Sequence, residues 1–225
     1  MTVTPEASGE QGARRSPAAI AVALATILGL VGLAVGLFFN PLWIAFEQDR
    51  TRADLWTGYP PATVHAVTDS VVSEVFLGPG TFTQAVAGVP VFNEREQAHM
   101  GDVHRVVVVF VLLVVAAIVV LVLGGIRWRA RGWFWRAVAR GAAILAVGAV
   151  VIGSAFAFAF DQAFTLFHDV LFPAGNWEFD PATDRLVQLF PYDFWTETSV
   201  AIAVVGLLLT LATWALARRM AKRSA

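Results

Sequence analysis

The chain has 225 residues, 57% of them apolar and 15% charged, with a mean hydropathy of +0.66. Soluble domains carry about 25% charged residues, so an ordinary soluble globular protein is excluded. The net charge of −1 supplies no basic field for nucleic acid. The absence of cysteine excludes disulfides, thiolate metal sites and a cysteine nucleophile belonging to this chain.

Residues 1–17 are polar and read as a disordered N-terminal segment. Four charge-free runs follow. Ala18–Phe39 has 22 residues, Val106–Ile126 has 21, Gly141–Phe160 has 20 and Ser199–Ala217 has 19. A bilayer core needs about 20 apolar residues in a helix. The Val-rich second run is too long for a strand, and a lone strand in lipid would leave its backbone groups unpaired. The first run is followed by Phe38-Phe39-Asn40-Pro41, a poor small-residue cleavage site, and reads as a retained anchor. The sequence therefore predicts an all-α membrane protein. It is a four-helix transmembrane bundle spanning residues 18–217, with spans at 18–39, 103–126, 141–165 and 198–217. A basic tail at 218–225 follows.

Eleven of the 16 basic residues lie in the N-terminal segment, in the 127–140 loop and in the C-terminal tail. The positive-inside rule puts both termini in the cytoplasm and turns segments 40–102 and 166–197 outward. Trp128, Trp133 and Trp135 interleave with arginines in the 127–140 loop and read as interfacial anchors. In the first outward segment, Val64, Val67, Val71 and Val75 fall at helical spacing after Pro60-Pro61, which predicts a short amphipathic helix over 62–77. Residues 81–92 look extended. In the second segment, Asp180-Pro181-Ala182-Thr183-Asp184 reads as the turn of a small β-hairpin. Together these would form a small extracytoplasmic cap.

Two clusters could carry chemistry. Arg95, His99 and Asp102 stand at i, i+4 and i+7 near the outer end of the second span, within about 60° of one another on a helix wheel. Glu96 lies one turn before His99. Asp161, Thr165 and His168 repeat the spacing near the outer end of the third span. Ionisable groups at membrane depth are costly, which favours function over filler. His65 reads as a surface residue and His104 as structural. Glu96-x-x-His99 has the spacing of a di-iron bundle, but a second such motif is lacking, as is H-E-x-x-H. No metal and no cofactor is expected. No Gly-x-Ser-x-Gly elbow is present, so an acyl transfer here would take its nucleophile from the substrate.

Glu94-Arg95-Glu96-Gln97-Ala98-His99-Met100-Gly101-Asp102-Val103 resembles the E-R-E-x-x-H-M-x-D-V signature of the lipoprotein intramolecular transacylase (Lit) family and its integral membrane relatives. Phe167-His168-Asp169-Val170-Leu171-Phe172, Asn176-Trp177-Glu178-Phe179-Asp180-Pro181 and Leu189-Phe190-Pro191 extend the likeness. The resemblance implies a membrane acyltransferase. It would move the sn-2 acyl chain of a diacylglyceryl lipoprotein onto the α-amine of its N-terminal cysteine. The implied partners are such lipoproteins and membrane lipids, with no nucleic acid. The family's two histidines fall on His99 and His168, with the assignment of base and acid open. Asp102 or Glu96 is expected to orient His99, Arg95 to meet an oxyanion or a headgroup, and Asp161, Asn176 and Trp177 to support the cavity. The rival readings are a non-catalytic receptor, scaffold or assembly factor, and a metal-dependent membrane hydrolase.

Overall fold

A computed structural model describes residues 16–224. The polar N-terminal segment with Arg14 and Arg15 therefore lies largely outside the described residues. Nine helices and one two-stranded ribbon follow in chain order among them: α1 (Pro17–Gly36), α2 (Pro41–Arg50), α3 (Ala53–Thr57), α4 (Pro61–Leu77), β1 (Ala85–Val86), β2 (Val89–Pro90), α5 (Glu94–Trp128), α6 (Gly132–Phe158), α7 (Phe160–Leu171), α8 (Arg185–Leu189) and α9 (Tyr192–Arg223). Helices α1, α5, α6 and α9 carry the four apolar runs and are each long and apolar enough to cross a membrane. Only 6% of the most apolar stretch of α5 is buried by the rest of the chain. Its Val, Leu and Ile side chains face outward, as lipid-facing surface must. The protein is a multi-pass, all-α membrane protein.

The chain divides into two compact units. The first comprises Met1–Ala34, Leu112–Ile152 and Ala203–Ala225. Small residues allow its helices to approach closely: a Cβ on Gly141 of α6 would run into the Ala23 carbonyl oxygen of α1. Ala19, Val22, Phe134, Ala137, Val138 and Ala217 form its core, flanked by Trp128, Trp133, Trp135 and Trp214. The Trp135 indole donates to the Arg129 carbonyl at 2.6 Å, and Arg218 lies 4.9 Å over the Trp214 ring. Those aromatic rings thus tie down the basic loop and tail.

The second unit comprises Val35–Val111 and Gly153–Ile202. The valine stripe of α4 is buried as its spacing predicts: Val64, Val67, Val71 and Val75 pack with Ile44, Phe82, Phe92, Met100, Leu189 and Phe194. The carboxylate of Glu74 closes the end of α4 by accepting from the Gly80 and Thr81 backbone N–H groups. Those bonds, led by the one from Thr81, hold its carboxyl below the usual range. Helix α2 was not foreseen from sequence. Asn40 caps it by accepting from the Leu42 and Trp43 N–H groups, with Pro41 in the first turn. Gln48 of α2 reaches Thr68 at 2.8 Å and the Leu189 carbonyl at 2.9 Å, binding α2, α4 and α8 together.

Two local expectations are corrected. The hairpin lies at 85–90, where Ala87 (φ 50°) and Gly88 (φ 81°) supply the two left-handed positions of a tight turn. The segment after Asp180-Pro181 is instead the short helix α8, because Leu186 and Leu189, three residues apart, are both drawn into the core. The third apolar run does not continue to residue 165. The helix breaks at Ala159 (φ −143°, ψ 50°) and restarts as α7.

Candidate active site

The site is built by the first turns of α5, by α7 and by the 172–184 loop, the α5 part being residues 94–111, which belong to the second unit with the other two. The α5 N-terminus is set by a reciprocal capping box. The Asn93 side chain accepts from the Glu96 N–H at 3.0 Å, and Glu96 Oε2 accepts from the Asn93 N–H at 2.8 Å. The other Glu96 oxygen accepts from the Leu186 N–H at 2.6 Å, locking α8 against α5. Glu96 is 1% exposed and both its oxygens serve this frame. The expectation that it orients His99 gives way to that structural role.

Arg95 is likewise engaged. It donates to buried Asp184 at 2.8 Å and lies 4.9 Å over the Phe179 ring. Asp184 also accepts from the Asn93 side chain and from the Asp180 N–H. Arg95 thus anchors the 179–184 loop rather than standing free for an oxyanion.

His99 projects one turn beyond this frame, and its ring stacks on that of His168 from α7, with centroids 6.1 Å apart and planes 26° apart. The two imidazoles are brought together from separate helices. Phe172 and Phe179 stand edge-on to His99 at 4.8 Å and 5.4 Å. Phe164 and Trp177 lie 3.9 Å and 4.9 Å from the His168 ring. An aromatic box therefore encloses the pair. Phe164 and Phe172 were not singled out from sequence. Their signal was the i−4 and i+4 spacing around His168, which brings Phe164 of α7 and Phe172, just past its end, against that ring.

The tautomer of His168 follows from its partner. Its Nδ1 lies 2.8 Å from the Phe164 carbonyl oxygen. A carbonyl only accepts, so Nδ1 carries the proton and Nε2 keeps its lone pair. Burial pushes this imidazole below the ordinary value of 6.5, against smaller upward pulls from the Phe164 bond and the Asp169 charge. His99 is 5% exposed, with Asn176 and Asp102 as its electrostatic neighbours. Two imidazoles this close resist both becoming imidazolium cations at once.

Asp102 reaches the site through Asn176. Its carboxylate accepts from the Asn176 amide at 3.0 Å and pairs with Arg105 on the next turn. Trp177 Nε1 is buried without a hydrogen-bond partner, and the Asn176 side chain lies beside the buried His99 imidazole. Asp161 has a different neighbour: it hydrogen-bonds Tyr192 at the start of α9. The outlying histidines are likewise engaged elsewhere, His65 with Asp49 and His104 with the Val75 carbonyl. Among the described residues no group of three or more His, Asp or Glu side chains is placed to hold a metal ion.

The model of the lipoprotein intramolecular transacylase Lit family matches residues 20–195. The chain belongs to the Lit family. It is 27% identical over 184 residues to an uncharacterized protein of Aquifex aeolicus (strain VF5), covering 79% of this chain and 82% of that one. The fold is that of the membrane-integral Lit from Bacillus cereus, with a TM-score of 0.76 at 20% identity, over 92% of this chain and 95% of that chain. A Bacillus cereus Lit carrying a histidine-to-alanine substitution matches with a TM-score of 0.73 at 19% identity, over 97% and 98% of the two chains. The Lit match contains both histidine-bearing segments and the Asn176–Asp180 stretch.

Proposed function

We propose that this protein is a lipoprotein intramolecular transacylase. It moves the sn-2 acyl chain of a diacylglyceryl lipoprotein to the α-amine of the substrate's N-terminal cysteine, leaving a lyso-form lipoprotein. Family membership supports the reaction class. The observation that carries the site assignment is the stacked His99–His168 pair, with Nδ1 of His168 bonded to the Phe164 carbonyl.

The reaction needs little from the protein beyond position and proton handling. Ester and amine already sit on one molecule, and holding them in contact can supply up to roughly 7–11 kcal/mol of the barrier. The neutral amine attacks the ester carbonyl carbon, an N–C bond forms, and the carbonyl π pair moves onto oxygen. The amine proton passes to Nε2 of His168. Collapse breaks the bond to the glycerol oxygen, which takes up that proton, so no outside reactant is consumed. His99 is the second station of the transfer, since repulsion allows one positive charge on the pair at a time. Asp102, acting through Asn176, positions His99. The charge bias of the loops supports an orientation with both termini cytoplasmic and the site near the extracytoplasmic face.

The test is expression in a host lacking this activity, with mass spectrometry of a reporter lipoprotein. Wild-type protein yields the lyso-form, while His99→Ala and His168→Ala do not, although both reach the membrane folded. Full lyso-form yield from either variant defeats the histidine assignment, and none from the wild type defeats the reading of the reaction.

A further inference from the structure

Acyl transfer builds negative charge on the former carbonyl oxygen, and a preorganised donor at that position is worth more than any other single electrostatic contact. The cation that sequence spacing offers for this task, Arg95, is bonded to Asp184 and stacked on Phe179. A different donor is available. The Trp177 Nε1–H is buried and has no hydrogen-bond partner, although a buried indole N–H ordinarily finds one. Its ring lies 4.9 Å from His168 and 6.4 Å from Phe164, within the aromatic box around the histidine pair. The polar side chains of Asn176 and His99, which neighbour each other, belong to the same site. The donor is therefore part of a polar lining rather than an isolated defect.

We propose that the Trp177 indole N–H is a catalytic hydrogen-bond donor that stabilises the oxyanion of the tetrahedral intermediate. This rests on the acyl-transfer reading above. As the amine attacks and the carbonyl π pair moves to oxygen, the new oxyanion accepts from Nε1–H. When the glycerol oxygen leaves, the charge returns into the carbonyl and the bond relaxes. No proton leaves Trp177 at any step. A neutral donor suits a buried aromatic box, because it incurs no cost of desolvating a charge in the resting state.

The experiment separates the N–H from the ring. Trp177→Phe keeps an aromatic ring against His168 and deletes the donor. Site-specific replacement of Trp177 by 3-benzothienylalanine keeps the bicyclic shape and exchanges N–H for sulfur. Purified full-length variants are assayed in micelles on a synthetic diacylglyceryl lipopeptide, with melting curves as a check on folding. Both variants are expected to lose about 10²–10³-fold in kcat, with KM close to that of the wild type. A benzothienyl variant with wild-type kcat overturns the proposal, even where Trp177→Phe is impaired, because the ring alone would then explain the loss. Wild-type protein inactive on the lipopeptide overturns the transacylase reading itself, which distinguishes the two failures.

Discussion

Replacing Glu96 by alanine tests whether this residue belongs to the frame or to the chemistry. Its side chain is 1% exposed, and its two oxygens accept the Leu186 N–H at 2.6 Å and the Asn93 N–H at 2.8 Å. Glu96→Ala leaves both donors without their partner. Each buried donor so stranded costs about 1–3 kcal/mol, so the loss is about 2–6 kcal/mol. The Asn93 donor is the less buried of the two and falls toward the lower end. At roughly 2–4 °C per kcal/mol for a chain of this size, the Tm in detergent falls by about 4 °C or more. Tryptophan fluorescence during heating reads it directly. Glu96→Gln keeps one acceptor oxygen and loses about half as much. A Glu96→Ala protein with unchanged Tm refutes the structural assignment. Unchanged Tm together with abolished acyl transfer would restore the role of orienting His99.

Three further outcomes follow from the geometry. The proton acceptor at His168 has its pKa lowered by burial, so the acidic limb of the rate profile lies below 6.5, the ordinary imidazole value; a limb at or above that value contradicts the assignment. Stability carries the same sign: the unfolded chain binds this proton at the ordinary value and the folded chain only at a lower pH. Folded protein is therefore expected to lose stability as pH falls below about 6.5 toward the folded value, measurable as Tm against pH with His168→Asn as the control. In the first unit, Gly141→Leu forces atoms onto the Ala23 carbonyl and the Thr26 side chain, for an expected cost of about 1–3 kcal/mol from overpacking. A melting temperature equal to that of the wild type would show that α1 can move aside freely.

The sequence by itself determined the class of this protein. Runs of about twenty apolar residues can exist only as membrane-crossing helices, and the valine stripe of 64–75 announced a buried face through its period alone. The signature around His99 and His168 pointed to the Lit family before any contact was known. The spacing of 69 residues between the two histidines carried no information about their distance. Tertiary structure decided that their rings stack at 6.1 Å. It also decided which charged groups were available. Arg95 and Glu96 share the helical neighbourhood of His99, yet Asp184 and the Leu186 N–H, some 90 residues away, engage both. Conversely, Trp177 offers a free N–H because no fold partner meets it. The physical reason is that a helical period reports which side chains share a face. Hydrogen-bond demand is satisfied in three dimensions, by donors and acceptors that only folding brings within about 3 Å.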